Sequence, residues 1–460
     1  MTENDIKKHS VVLGEGSGAL FQPADSDKTY VLSARHVFYN EIKDERGGKK
    51  SEVKKEITLR FSDSQDEEKV IEIRNGENYF EHSDSSIDAA LLLIEDIEGY
   101  SQIFIDNNTS SFNGYNMAGF PQSRRASDDK YNKYKISDII SSDQNILSLR
   151  LEVAHLSHSD ISGFSGGGII KFNEDYLTIC GIQSRTPEED CNGEISVVPI
   201  TRFIEIAKQY NLPELLPSFL VNFKFLQQAA FNFDAGIDDE DISFTRLFLK
   251  QKTEEVLSSD ITPRFIKDYF TDRLLINDKD TLKLNDELIY ITWLEFLTLM
   301  NIVKDKTCNI SDLEDIFCYL RLLYRKTETD WLDTDFLKDC LVSNYDGLEE
   351  NGTVFIKTNN HPIKSNIKHY KLDKGGIIPR IDSLKSNYEN GTLHSDVNNI
   401  TNALSELKEF VFDKYNFIHF EYLKHFMLVE NSKNYKNFKK SNENELLTKL
   451  KEEYGKIFGI

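Results

Sequence analysis

The sequence predicts a multidomain protein, with an all-β N-terminal domain and a mainly α, α+β C-terminal domain. Three features of the chain predict this. Between residues 10 and 200, short apolar and β-branched runs alternate with turns rich in Gly, Pro, Asp and Ser, the pattern of many short strands. Beyond residue 220, apolar residues recur at helical spacing instead, as in Leu313, Ile316, Phe317 and Leu320, or in Ile400, Ala403, Leu404, Leu407 and Val411. Between the two, Leu212-Pro213-Glu214-Leu215-Leu216-Pro217 punctuates the chain, which sets the domains at 1–212 and 213–460.

With 460 residues, 39% of them hydrophobic, the chain can bury two or three proper cores. Nucleic-acid phosphates and anionic membranes would repel a formal charge of −22, so neither direct nucleic-acid binding nor membrane binding is expected. The basic, aromatic cluster Lys433, Tyr435, Lys436, Phe438, Lys439 and Lys440 reads as a solvated helix face or linker. Cysteines at 180, 191, 308, 318 and 340 are odd in number and form no C-x-x-C pair, which fits free thiols in a reducing compartment. Met1 to Ser10 carries no apolar signal core and no membrane-length apolar run occurs, so a cytoplasmic location is expected.

Taken in order, Val11-Val12-Leu13 and the Gly16-Ser17-Gly18 run through Phe21 read as strands, and a third over Tyr30 to Ser33 leads to His36. Gly14, Gly16 and Gly18 lack dinucleotide-binding spacing, and no helix follows them. Residues 41–56 are charged and contain glycine, a loop insertion. Further strands are expected over Ile57 to Phe61, Val70 to Ile73, Asp88 to Ile94 and Leu177 to Ile182, with Cys180 a core residue. Val197 to Thr201 leads into a helix bearing Phe203, Ile204 and Ile206. The C-terminal domain should hold helices over Asp286 to Val303, behind a Ser311-x-x-Glu314 capping box, and over Ser395 to Phe412, with a strand around Thr353 to Ile356. No catalytic constellation stands out there, so recognition, oligomerisation or control is its expected role.

The chemistry concentrates in Ser162-Gly163-Phe164-Ser165-Gly166-Gly167-Gly168-Ile169-Ile170. A serine hydroxyl is a weak nucleophile that needs a base for its proton and amide donors for the oxyanion it creates. Glycines around it let the backbone turn sharply and aim the N–H groups of Gly163 and Ser165 at one point. A histidine, His36, closes one strand, and an aspartate, Asp88, opens another, so the order is His, Asp, Ser. Gly163-x-Ser165-x-Gly167 also fits the nucleophile elbow of α/β-hydrolases, but there acid and histidine follow the serine and a helix starts after it, whereas here Ile169-Ile170 starts a strand. Asp84 competes with Asp88, which is preferred because it leads straight into Ala-Ala-Leu-Leu-Leu. His155 and His158 stand three apart without a third metal ligand, and no metal or other cofactor is expected.

Together Ser33-Ala34-Arg35-His36, Asp88-Ala89-Ala90-Leu91-Leu92 and Gly163-Phe164-Ser165-Gly166-Gly167 resemble trypsin-like (chymotrypsin-fold) serine peptidases over roughly residues 10–205. The resemblance implies an all-β double barrel and a serine endopeptidase with Ser165 as nucleophile, His36 as general base then acid, Asp88 as its orienter and the amides of Gly163 and Ser165 as the oxyanion hole. It further implies Ser159 at the base of the pocket for the substrate side chain, with Asp160 beside it, and Gln183-Ser184-Arg185 pairing with an extended substrate backbone. Two positions depart from the family: Phe164 stands where an Asp or Asn is usual, and Gly168 where a Pro or Ala is. Activation by N-terminal trimming is therefore not expected, and control falls to the C-terminal region or a partner. A peptidase domain joined to an α-rich tail is similar in architecture to protease effectors of bacterial defence systems of the ABC-three-component (Lamassu-type) group, which implies a protein substrate and an SMC-like ATPase or other defence-system subunit as partner. The alternative is a degenerate peptidase fold that binds a peptide or partner without cleaving it.

Overall fold

The computed structural model describes residues 3–460 apart from 25, 44–48, 63–67, 98–101, 108–111, 126, 128–129, 154–155, 157, 174, 186–192, 234–238, 361, 363–369, 376–385 and 387–409. The chain divides into two compact units, Met1–Ser218 and Phe219–Ile460. No helix among the described residues is long and apolar enough to cross a membrane.

Unit 1 opens with α1 (Glu3–Lys8) and then runs β1 (Ser10–Leu13), β2 (Gly16–Phe21), β3 (Lys28–Ser33), β4 (Tyr39–Lys43), β5 (Lys49–Val53), β6 (Glu56–Phe61), β7 (Glu68–Glu72), β8 (Tyr79–Glu81) and β9 (Ala90–Glu95). A second set follows: β10 (Ile103–Ile105), β11 (Tyr115–Gly119), β12 (Asn132–Ser142), β13 (Leu147–Leu151), the one-turn helix α2 (His158–Ile161), β14 (Gly168–Phe172), β15 (Leu177–Gln183), β16 (Glu194–Pro199) and α3 (Ile200–Gln209). The first sheet has the order β7-β6-β1-β2-β3-β9-β8, a half-barrel. In the second, β10-β15-β14-β11-β12-β13-β16, β15 also pairs with β16, which closes an antiparallel barrel. Unit 1 is thus the all-β double barrel that the sequence predicts. Met117, Leu149, Phe164, Ile169, Cys180 and Val197 pack inside the closed barrel, whereas Ala19 and Leu32 of the first sheet share one core with Ala118, Ile170 and Ile182 of the second. One expectation fails here: the stretch 41–56, read as a loop, holds most of the hairpin β4–β5 and the start of β6. Its charged residues Glu41, Lys43, Lys49, Lys50 and Glu52 sit in a two-stranded ribbon outside both larger sheets, so no apolar alternation marks it.

Unit 2 is mainly helical around a small sheet. Its helices are α4 (Ser218–Val221, at the junction), α5 (Asp239–Leu257), α6 (Pro263–Phe270), α7 (Glu287–Lys304), α8 (Ile310–Tyr319), α9 (Thr334–Leu341) and α10 (Glu443–Phe458). Strands β17 (Leu320–Arg325), β18 (Thr353–Thr358) and β20 (Asn416–His419) are parallel, and β19 (Lys371–Leu372) adds antiparallel to β20. The α7 helix is buried along Ile289 to Val303 apart from Ile291, which explains why it is apolar almost all round. The capping box of α8 is Asn309 with Asp312 rather than Ser311 with Glu314, so the helix starts two residues earlier than the motif suggests. The helix expected over 395–412 lies outside the described residues up to 409, and Val411–Asp413 form a single 3-10 turn.

A buried ionic cluster joins these elements. Lys424 donates to Glu295 of α7 at 2.8 and 3.1 Å and pairs with Glu421 at 3.4 Å; Glu421 also pairs with Lys357 of β18. Glu295 accepts the amide of Phe231 at 2.7 Å as well. Burial pushes the Lys424 ammonium down, but Glu295 and Glu421 outweigh it and hold its pKa above the usual lysine range. Removing one partner of such a pair leaves a charge uncompensated in low dielectric, so Glu295→Ala is expected to destabilise unit 2 by about 3–5 kcal/mol in chemical denaturation. A loss below about 1 kcal/mol, the range of exposed pairs, would show that the cluster is hydrated.

Candidate active site

His36 lies in the 3-10 turn Arg35–Phe38 directly after β3, and Asp88 lies two residues before β9. Because β3 and β9 are antiparallel and Ser33 faces Ala90, the strand ends that carry the two residues lie side by side, tied by a hydrogen bond from the Arg35 amide to the Asp88 carbonyl at 3.2 Å. Asp88 Oδ2 faces His36 Nδ1 at 2.8 Å, and Oδ1 accepts the His36 backbone N–H at 2.9 Å. The carboxylate therefore fixes both the ring and its backbone, and it favours the tautomer with the proton on Nδ1, leaving Nε2 free to accept one. The His36 side chain is 42% exposed against 12% for Asp88, so the carboxylate is covered and the imidazole is reachable.

The nucleophile turn is a glycine structure. Gly163 has φ +93° and Gly166 φ +90°, where side chains are rarely tolerated. Space forbids them too: a Cβ on Gly166 would meet the Ser17 carbonyl and the Ser33 hydroxyl at 2.0 Å each, and one on Gly163 would meet the Phe120 carbonyl and Gln122 amide at 2.8 Å. Phe164 is fully buried in the closed barrel, its ring 5.6 Å from that of Tyr134, so the turn hangs from an apolar anchor where the family uses an acid. Among the described residues, neither the Gly163 nor the Ser165 amide donates a hydrogen bond, the state an oxyanion hole requires. The Ser165 hydroxyl donates to the Ser184 carbonyl at 3.2 Å, while the Ser184 hydroxyl donates to Asp88 Oδ2. His36, Asp88, Ser165 and Ser184 thus form one connected site.

The family model for C-terminal domain 4 of the ABC-three component (ABC-3C) systems matches residues 197–429, just over half of the chain. The chain belongs to that family. No curated protein matches the ABC-3C chain. Among solved structures it is similar to Rv3671c from M. tuberculosis H37Rv, an inactive form of a mutant, at 15% identity and TM-score 0.29, over 45% of this chain and 89% of that one.

The remaining candidates of the ABC-3C chain divide. Asp84 accepts the amide of Ser86 at 2.8 Å and its hydroxyl at 2.7 Å, which turns the chain ahead of Asp88 and involves no contact with His36. Ser159 lies in α2, its side chain outside the description, and Asp160 is half-buried with its charge felt by the Tyr134 phenol. Gln183 is buried, its amide N–H donating to the Gly167 carbonyl and its own carbonyl accepting from Gly166, both at 2.8 Å; its side-chain oxygen has no hydrogen-bond partner. The Ser184 amide and the Arg185 carbonyl face Ser196 of β16 at 2.9 Å, so the Ser184 carbonyl is the strand group turned toward Ser165. His158 opens α2, and His155 lies outside the described residues; no metal-binding cluster occurs among the described ones. Sequence reasoning placed Ser184 on substrate and missed its hydroxyl on Asp88, for which no local motif exists.

Burial pushes the Asp88 carboxyl up, but the His36 ring and backbone and the Ser184 hydroxyl outweigh it and hold the pKa at about 2. A carboxyl with a folded pKa below its unfolded value of about 3.9 stabilises the fold above that value and loses the contribution as pH falls through the folded one. Wild type should therefore exceed Asp88→Asn in stability by on the order of 2 kcal/mol above about pH 5, with the gap closing between about pH 4 and 2 in acid titrations of unfolding. A gap that stays constant down to about pH 2 would mean that the carboxylate is not the stabilising group.

Proposed function

We propose that this ABC-3C protein is a serine endopeptidase acting in the cytoplasm on a protein substrate as an effector of antiphage defence. Its activity would be controlled by its C-terminal region or by a partner such as an SMC-like ATPase or another subunit of its system. The observation that carries this reading is the 2.8 Å pairing of His36 Nδ1 with a covered carboxylate beside a glycine-bound serine. His36 Nε2 would take the Ser165 proton as the hydroxyl attacks a carbonyl carbon, the Gly163 and Ser165 amides would hold the resulting oxyanion, and the imidazolium would return the proton to the leaving amine. Rotation about the Ser165 Cα–Cβ bond moves its hydroxyl from the Ser184 carbonyl toward the imidazole. The freed carbonyl is then able to accept an N–H from an extended substrate strand, with Gln183 and Arg185 flanking it and Ser159 and Asp160 on the side-chain pocket. Membership of a family named for three components supports partner control, with unit 2 as its seat.

A second reading, a peptidase fold that binds without cleaving, draws on the Ser165 hydroxyl resting on Ser184 rather than on the base. Labelling with a fluorophosphonate, with and without partner subunits, separates the two. Under the enzyme reading, Ser165→Ala or His36→Ala lowers kcat on the order of 10⁶-fold, with little change in unfolding temperature for Ser165→Ala. Asp88→Asn should cost about 10⁴-fold by holding the wrong tautomer, and Asp84→Asn far less. Full activity of Ser165→Ala would end the assignment.

Control by unit 2 has its own test. Labelling rates of the full chain, of the fragment 1–218 and of the chain with its system's subunits should differ by more than about tenfold, or about 1.4 kcal/mol in activation free energy. Equal rates in all three would remove control by unit 2 or a partner.

A further inference from the structure

Ser17, a fully buried residue of β2, touches neither His36 nor Asp88, yet it is bonded to both sides of the nucleophile. Its hydroxyl donates to the Gly163 carbonyl at 2.7 Å, and its amide donates to the Ser165 carbonyl at 2.8 Å. The same hydroxyl accepts the Phe120 amide, at the end of β11, at 2.9 Å, and the Ser17 carbonyl accepts the Ser33 hydroxyl at 2.8 Å. One side chain of the half-barrel thus joins the closed barrel and the nucleophile turn.

The geometry points to Ser17 as a positioning residue for the oxyanion hole, an inference that rests on the peptidase reading above. The two amides that would hold the oxyanion belong to the peptide planes 162–163 and 164–165. Between them stands the plane 163–164, whose N–H donates to the Ile161 carbonyl at 3.0 Å and whose carbonyl is the one held by Ser17. Anchoring both ends of this plane limits ψ of Gly163 and φ of Phe164, the torsions that aim the neighbouring amides. Gly163 has no Cβ to restrain it, so without the Ser17 hydroxyl the plane can rotate about a residue free at φ above and below zero. The Ser17 amide then holds the next carbonyl, that of Ser165. Oxyanion stabilisation depends on donors fixed before charge develops, and a displacement near 1 Å can cost on the order of 10²-fold in rate.

The test uses the full chain and compares Ser17→Ala with Ser33→Ala. Both variants remove one fully buried hydroxyl from the same network, but among the described residues the Ser33 hydroxyl bonds only the Ser17 carbonyl and leaves Gly163 and Phe120 untouched. Ser17→Ala should lower kcat and the fluorophosphonate rate by on the order of 10–100-fold, with KM within about twofold and an unchanged midpoint of the pH–rate profile. Amide exchange in peptides spanning 158–166 should speed up. Ser33→Ala should lose similar thermal stability yet keep kcat within about threefold. Ser17→Cys, close in volume and a weaker donor, should fall between wild type and Ser17→Ala and serves if the alanine variant does not fold. Equal kcat losses in Ser17→Ala and Ser33→Ala, or wild-type kcat and exchange in both Ser17 variants, would overturn the inference while a labelled wild type and a dead Ser165→Ala leave the peptidase reading standing. A wild type that labels no faster than Ser165→Ala would instead overturn the peptidase reading, and the inference with it.

Discussion

The site depends on one close approach, that of the turn 163–166 to the half-barrel strand β2. At Gly166 the backbone comes so near Ser17 and Ser33 that even a methyl group would overlap both at 2.0 Å. The approach lets two hydrogen bonds from Ser17 grip the turn from the half-barrel while Ala118 to Gln122 confine it from the closed one. His36 and Asp88 stand at the ends of strands in the half-barrel, Ser165 at the start of one in the closed barrel. Only the seam between the two sheets brings them together. Ser184 completes the seam, with its side chain on the acid and its carbonyl on the nucleophile.

Much of this was legible because the chemistry restricts residue types at short range. A serine flanked by Gly163, Gly166 and Gly167 announces a turn with left-handed torsions and no room for side chains, and the torsions and clashes at Gly163 and Gly166 bear that out. The strands around it announced themselves by buried apolar runs such as Leu32 against Leu91 and Ile169 against Gly181. What stayed hidden is long-range and polar. Nothing near Ser17 in the chain marks its bond to Gly163, 146 residues away, and a hydroxyl has no pattern of burial by which to be recognised. The strands Tyr39–Lys43 and Lys49–Val53 hid for the opposite reason, since charged residues such as Glu41, Lys43, Lys49, Lys50 and Glu52 leave them no apolar alternation.

Unit 2 shows the same division. Its apolar stripes gave away α7 and α8, but its ionic core did not, because Lys357, Glu421 and Lys424 look like surface residues in a sequence where charge is common. Only the fold converts them into a core: β18 and β20 run parallel, so Lys357 and Glu421 emerge at the same end of the sheet, where Glu295 of α7 meets Lys424. Desolvating four charges is costly unless each finds its partner, so the cluster is satisfied only where α7 brings Glu295 to Lys424.

Phe164 connects architecture with control. Secreted members of the trypsin-like peptidases that unit 1 resembles place an acid at this position, and a new N-terminal ammonium orders their turn by pairing with it, so cleavage acts as the switch. A fully buried phenyl ring offers such an ammonium no carboxylate to pair with. Burying it inside the closed barrel supplies about 2–3 kcal/mol of permanent anchoring in place of a conditional ion pair. Together with Ser17, this makes the shape of the turn a property of unit 1 itself, formed along with its core. Under the proposed function, a switch on such a site would act on what reaches the cleft or on where the Ser165 hydroxyl points, because the turn is held from within unit 1. Among the described residues that hydroxyl bonds the Ser184 carbonyl, and under the proposed function an extended substrate would compete for the same carbonyl. Under the proposed function, substrate engagement and release of the Ser165 hydroxyl would be one event, and restraint by unit 2 or a partner would need only to withhold the strand.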